Sequence, residues 1–154
     1  MAIDSHDISI LRELQRDATL SVEELSSRIN LSRNACWRRV KLLEEAGIIK
    51  GRVALVDPAK VNAGLTVLIQ VRTAKHSAEW ADHFRAALAA LPEIVGAYRT
   101  AGEIDYILKA RVPDVAAYDR LYQRLIARIE MDDVSASFVM EALKETTEVP
   151  LTYA

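Results

Sequence analysis

Leu31-Ser32-Arg33-Asn34-Ala35-Cys36-Trp37-Arg38-Arg39-Val40-Lys41-Leu42-Leu43-Glu44-Glu45-Ala46-Gly47-Ile48-Ile49 is the stretch that decides how this chain is built. Ser32 is a natural N-cap, because its hydroxyl can accept from an orphan N–H of the first helical turn. Cys36, Val40 and Leu43 then recur at i, i+4 and i+7, which predicts one buried stripe. Gly47 suits the left-handed residue that ends a helix. Opposite the apolar stripe lie Arg33, Trp37 and Lys41, four apart, with Asn34 and Arg38 beside them. Between Ser32 and Lys41 four basic side chains meet no acidic one, although residues 1–57 as a whole hold nine of each sign.

Just upstream, Ser21 and Glu24 form a capping-box signature ahead of Val22, Leu25 and Ile29. Asn30 and Leu31 leave room for only a short turn. An earlier helix is marked by Ile8, Leu11 and Leu14, and ends at Ala18-Thr19-Leu20. Downstream, Ile48-Ile49 and Val53-Ala54-Leu55-Val56 flank Lys50-Gly51-Arg52, which reads as a short hairpin or wing. Three short helices, a tight turn before the third and a small ribbon are the parts of a winged helix-turn-helix.

A helix with one buried side and a basic N-terminal half fits the DNA major groove, about 12 Å wide. Arginine suits bidentate bonding to guanine, asparagine suits adenine, and lysine suits a phosphate. The candidate DNA contacts are Ser32, Arg33, Asn34, Trp37, Arg38, Arg39 and Lys41. A solvated basic face on an ordinary helix is the plain alternative, which the capped helix and short turn before it weigh against. Trp37 fits a partner subunit as well as it fits DNA. Arg39 lies beside Cys36 and Leu43, where a structural role or a phosphate contact suits it better than base reading. Lys50 and Arg52 read equally as backbone contacts from the wing and as a solvated turn.

Beyond the connector at 58–63 the period changes. Leu65, Val67, Ile69 and Val71 alternate with Thr66, Leu68, Gln70 and Arg72 as a half-buried strand. Ser77 opens a helix with Trp80, Phe84, Leu88 and Leu91 on one side. A second strand runs from Ile94 to Thr100, and Ala101-Gly102 turns into a third carrying Ile104, Tyr106, Leu108, Ala110 and Val112. Pro113-Asp114 starts a helix with Tyr118, Leu121, Leu125 and Ile129 inward. Val134, Ala136, Phe138, Met140 and Ala142 alternate as a fourth strand. The order βαββαβ is the ferredoxin-like split motif. The chain is thus expected to be α+β: a winged helix-turn-helix at 1–57, a linker at 58–63, a ferredoxin-like domain at 64–146 and a tail at 147–154.

Composition narrows the function. The 154 residues are 51% hydrophobic and 27% charged with a net charge of −2, ordinary values for a globular protein. The longest stretch free of Asp, Glu, Lys and Arg is Val61–Val71, eleven residues, against about 20 for a membrane span. The polar, acidic start from Met1 to Asp7 does not read as a signal peptide. A single cysteine excludes an internal disulfide framework and fits a reducing cytoplasm. Cys36 falls on the buried stripe and reads as a small apolar residue rather than a redox sensor. His76, Glu79 and His83 gather no further ligand by spacing, so they read as a solvated face and not as a metal site. No cofactor is expected.

The run Leu31–Val40, continuing to Glu44, Gly47 and Ile48-Ile49, resembles the helix-turn-helix of the leucine-responsive (Lrp/AsnC) regulators. Val53–Pro58 is similar to the strand leading out of it, and Thr100-Ala101-Gly102-Glu103-Ile104-Asp105-Tyr106 resembles the family's Gly-Asp turn. The likeness spans nearly the whole chain in order and spacing. Two departures are Ala35, where the family often has proline, and Glu103, where it more often has aspartate. The resemblance implies a transcription regulator whose partners are double-stranded DNA, further copies of itself (a homodimer, often assembling to an octamer) and an amino-acid effector at a subunit interface. Carried onto matching positions, it implicates Thr100, Gly102, Glu103 and Asp105, with Phe138, Val139 and Met140 as further lining.

On the residues alone, Glu103 and Asp105 read as solvated turn carboxylates, as an ammonium site or as a proton-transfer pair. The last lacks a placed histidine or lysine partner and any nucleophile with a base. Phe138 and Met140 read more simply as core. His76-Ser77-Ala78-Glu79-Trp80 with Ala35-Cys36-Trp37 is similar to a branch that includes cysteine-responsive regulators, which makes cysteine one candidate effector. The competing expectations are an architectural DNA binder without effector sensing, a small ferredoxin-like enzyme and a protein adaptor using the Trp37 face. The tail, Val149 to Ala154, is expected to pack on a neighbouring subunit.

Overall fold

The computed structural model describes residues 2–154, and each of the five α-helices among them is capped at its start by a serine or aspartate side chain. Two compact units result. One comprises the chain through Leu55 together with Lys144–Ala154, and the other is Val56–Leu143.

In the first unit, α1 (Ser5–Arg16), α2 (Val22–Arg28) and α3 (Arg33–Glu45) enclose a core of Ile10, Leu11, Leu25, Cys36, Val40 and Leu43. The Ser21–Glu24 capping box is formed reciprocally, with Ser21 N–H on Glu24 Oε2 at 2.8 Å and Glu24 N–H on Ser21 Oγ at 3.2 Å. Asn30 takes a φ of +53° in the turn between α2 and α3. Gly47 has a φ of +69°, and the Ile48 N–H reaches back to the Leu43 carbonyl at 3.0 Å, closing the helix end. Gly47→Ala is therefore expected to lower stability by about 1 kcal/mol, the left-handed cost for a residue with a Cβ. Urea unfolding checks it, and since nothing lies within 4 Å of the added methyl, the loss would be conformational and not a clash.

Two expectations in this unit are corrected. The buried face of α1 is Asp7, Ile10 and Leu11, with Ile8 only half-buried, so the inward stripe is rotated towards a charged residue. The ribbon expected at 48–56 has no β ladder, and Val53 and Leu55 are largely exposed. Their alternation is real, but no strand pairs with them among the described residues.

The second unit is a four-stranded antiparallel sheet of order β2-β3-β1-β4, built from β1 (Leu65–Arg72), β2 (Ile94–Arg99), β3 (Tyr106–Val112) and β4 (Asp133–Phe138). α4 (Ala78–Ala89) and α5 (Val115–Ile126) cover one face, the arrangement of the split βαββαβ motif. Val67, Ile69, Val71, Leu108, Ala110 and Val112 point into the core with Trp80, Phe84, Leu121 and Leu125. Leu68 and Tyr98 lie on the other, uncovered face. The fourth strand is shorter than its alternation predicts. Its last pairing with β1 is Val67 with Phe138, and beyond it Met140 and Leu143 stand in solvent. No helix among the described residues is long and apolar enough to cross a membrane.

Candidate nucleic-acid interface and effector turn

Helix α3 presents two faces of opposite character. Cys36 and Leu43 are fully buried and Val40 nearly so, while Arg33, Asn34, Trp37 and Arg38 are exposed. Burial pushes the Cys36 thiol above its usual pKa, consistent with a packing role. The Ser32 hydroxyl accepts from the Ala35 N–H at 3.3 Å, so it caps the helix. Arg33 and Arg38 form no ion pair among the described residues, and their charge is available to a ligand. Trp37, 54% exposed, stands between them. Lys41 donates to Glu44 at 2.9 Å, and Arg52 reaches the same carboxylate at 3.2 Å. Both pairs are exposed, where an ion pair contributes about 0–1 kcal/mol, so a phosphate can replace the carboxylate readily.

Arg39 is different, and its ion pairs favour the structural role weighed for it beside a phosphate contact. Its Nη1 donates to Asp7 Oδ1 at 2.8 Å and to Asp4 Oδ2 at 2.7 Å. Asp7 is 2% exposed, and Asp4 with Asp7 forms the capping box of α1. The hydrogen bond that Arg39 donates to Asp7, then that to Asp4, raises its pKa above the ordinary value. Its guanidinium is committed to locking α3 onto the start of α1. Its position beside the buried stripe hints at such a role, but no local pattern could name the partners, which lie 32 and 35 residues away.

The turn at Gly102, the candidate effector turn, joins β2 to β3. Gly102 has a φ of +135°, a conformation that favours glycine. The Thr100 hydroxyl donates to the Ile104 carbonyl, and the Thr100 N–H to the Asp105 carbonyl at 2.8 Å. Asp105 uses Oδ2 to accept the Thr73 N–H at 2.8 Å, which ties the turn to the end of β1. Glu103 is exposed and pairs with Arg72 at 3.1 Å. The two carboxylates therefore do separate work: one is a structural acceptor, the other sits in solvent beside a cation.

Phe138, Val139 and Met140 lie elsewhere. Asp105 N–H bonds to Val71 at one end of β1, whereas Phe138 pairs with Val67 and Val139 bonds to Thr66 near the other. Four residues of strand separate these points, about 13 Å. Phe138 packs edge-on against Tyr118 with ring centroids 5.3 Å apart, so its core reading holds in part. Met140 is 94% exposed and is not core. One subunit does not bring the turn and the strand end together.

Sequence reading missed the partners of the tail. Gln15 of α1 brackets the backbone of Val149, donating to its carbonyl at 3.2 Å and accepting its N–H at 2.6 Å. Leu151 packs against the core of the first unit. The tail thus docks on the first unit of its own chain, whereas the sequence suggested a neighbouring subunit as its seat. The only local signal was the apolar pair Val149 and Leu151.

A family model for the Lrp/AsnC ligand binding domain matches residues 66–149, and one for a winged helix-turn-helix DNA-binding domain matches residues 3–50. The chain is 50% identical over 149 residues to the glutamate uptake regulatory protein of Zymomonas mobilis, covering 97% of this chain and 91% of that protein. An AsnC family transcriptional regulator from Agrobacterium tumefaciens superposes with a TM-score of 0.95 at 51% identity, over 97% of this chain and 98% of the other. A transcriptional regulator from Neisseria meningitidis, solved as an L-methionine complex, gives 0.93 at 36% identity over 98% of each chain.

Proposed function

The chain belongs to the Lrp/AsnC family of DNA-binding transcriptional regulators, and from that premise we propose that α3 reads DNA through Arg33, Asn34, Trp37 and Arg38. Lys41 and the capped start of α3 at Ser32 serve as phosphate contacts. The family is one of regulators carrying a ligand-binding domain, not of enzymes. The observation that carries the residue assignment is the division of labour among the α3 cations. Arg39 is consumed by Asp4 and Asp7, whereas Arg33 and Arg38 are exposed and unpaired among the described residues. A buried apolar stripe on the other side fixes which way these free charges face.

The second half of the reading is an amino-acid effector bound between copies of the chain. Thr100, Gly102, Glu103 and Asp105 lie at one end of β1, and Phe138, Val139 and Met140 near the other. A ligand small enough to be a free amino acid can touch both sets only if they come from different subunits. The exposed Met140 and the uncovered sheet face with Leu68 and Tyr98 supply apolar surface for such contacts. A homodimer is the minimum assembly, with octamers built from it. Two recognition helices would then meet half-sites roughly 34–36 Å apart. Such a regulator works in the cytoplasm, where the DNA is.

Fluorescence anisotropy on DNA from upstream of the protein's own gene, at several salt concentrations, tests this reading. Wild type should bind tightly and lose affinity steeply with salt as counterions are released. Arg38→Ala should weaken binding about tenfold and relax sequence preference, the loss of one bidentate base contact worth about 1–3 kcal/mol. Repeating the titration with L-methionine, cysteine and the other amino acids identifies the effector. Failure on both own-gene and random DNA across that panel would overturn the DNA reading.

A further inference from the structure

The chain passes between its two units twice, at Leu55–Val56 and again at Leu143–Lys144. The second crossing ends in a docked segment. Gln15, next to last in α1, meets both polar atoms of the Val149 peptide backbone. A primary amide carries the same donor and acceptor as a peptide unit, so one side chain here does what a neighbouring strand would do. Arg16 faces Glu148 at 3.9 Å. Leu151 is the apolar anchor against the unit's core. Thr147, Val149 and Leu151 share a groove with Leu11, Leu14 and Ile49, in which about 460 Å³ is still open. Two hydrogen bonds, a long exposed ion pair and one half-buried leucine make a contact that can open without unfolding the unit.

We propose that Lys144–Ala154 is a releasable strap through which the effector sheet controls the DNA-binding unit. The strap begins four residues after Met140, at the strand end assigned above to the effector, and this proposal rests on that assignment. Docked, it adds a second tether beside the chain at 56–64. Released, it leaves the DNA-binding unit on one tether, free to sample more orientations. None of Ser32, Arg33, Asn34, Trp37 or Arg38 lines the groove, so the strap does not occlude the reading face. It acts on avidity instead. In a dimer, engaging the second half-site is an intramolecular step whose gain depends on how narrowly the two recognition helices are held. Docking raises that gain, and an effector that disturbs the strand end lowers it.

The test uses the full chain and two DNAs recovered by in vitro selection, one with two half-sites and one with a single half-site. Gln15→Ala combined with Leu151→Ser should lower affinity for the two-half-site DNA at least fivefold and leave the single half-site unchanged. Leu151→Met should behave as wild type. Unchanged affinity for both DNAs overturns the strap. An equal loss on both also overturns it, since that is what mere damage to the domain would do. The titrations are then repeated with L-methionine and the other amino acids. An effect on wild type that is abolished in the double variant supports the strap as the route. An effect retained at full size overturns that route while leaving the effector reading intact. No effect of any amino acid on wild type removes the effector reading, and the strap is then judged by the two-DNA comparison alone.

Discussion

Replacing Arg39 with alanine is expected to lower the unfolding free energy of the DNA-binding unit by about 3 kcal/mol, while Arg38→Ala leaves it within about 0.5 kcal/mol of wild type. The two residues are adjacent, equally charged and on one helix, so composition and propensity treat them alike. Their surroundings do not. The Asp7 carboxylate is buried, and its neutralisation rests on Arg39 Nη1 at 2.8 Å and on the Asp4 N–H at 3.2 Å. Removing the guanidinium leaves a buried charge short of its counter-ion, the costly way to break such a pair. The Arg39 side chain is 27% exposed, so water can reach part of the site and keeps the loss near the lower end of the usual range. Hydrogen exchange of the Val40 and Leu43 amides reads the loss in the DNA-binding unit alone. Asp7→Asn combined with Arg39→Ala should recover part of it, because no bare charge then remains buried. If Arg39→Ala abolished DNA binding with exchange unchanged, Arg39 would be a DNA contact after all.

The same pair shows where sequence reading stops. Counting apolar residues at helical spacing placed Ile8, Leu11 and Leu14 inward and passed over Asp7, since a lone aspartate belongs outside. It lies inside because a cation 32 residues later reaches it. Local devices, by contrast, were readable. The Ser21, Ser32 and Ser77 caps, the turn at Gly47 and the alternation of β1 and β3 each depend on residues a few positions apart, and all are present. Alternation reports which way side chains would point in a strand, but not whether a partner strand exists. Hence β4 ends at Phe138 although Met140 and Ala142 continue its pattern, and Val53 and Leu55 alternate with no ladder. The effector residues show the same limit. The turn at Gly102 was legible because φ restricts the choice of residue there, but the distance from that turn to Phe138 follows only from strand register.

Trp80→Ala should cost the effector unit about 3–5 kcal/mol, a large aromatic truncation in a packed core. Trp80 is 6% exposed and stacks on Phe84 with centroids 4.9 Å apart, and Phe84 in turn meets Tyr106 at 4.8 Å. Its indole N–H donates to the Glu130 carbonyl at 2.9 Å, which ties the start of α4 to the loop before β4. Trp80→Phe separates these contributions. It keeps much of the ring contact but leaves that carbonyl without the indole, so it should cost about 1–2 kcal/mol. Urea unfolding followed at the effector unit distinguishes the two, and equal losses would place most of the stabilisation in the hydrogen bond. The cluster also bears on function. Tyr106 is the first residue of β3 and follows Asp105 directly, so the aromatic cluster braces the turn whose Asp105 holds the Thr73 N–H. A domain that senses an amino acid at this turn needs it preformed, because ordering it on binding would subtract from affinity. Trp80→Phe should accordingly weaken effector binding by a small factor at temperatures where the unit is still folded, and leave effector-free DNA affinity unchanged.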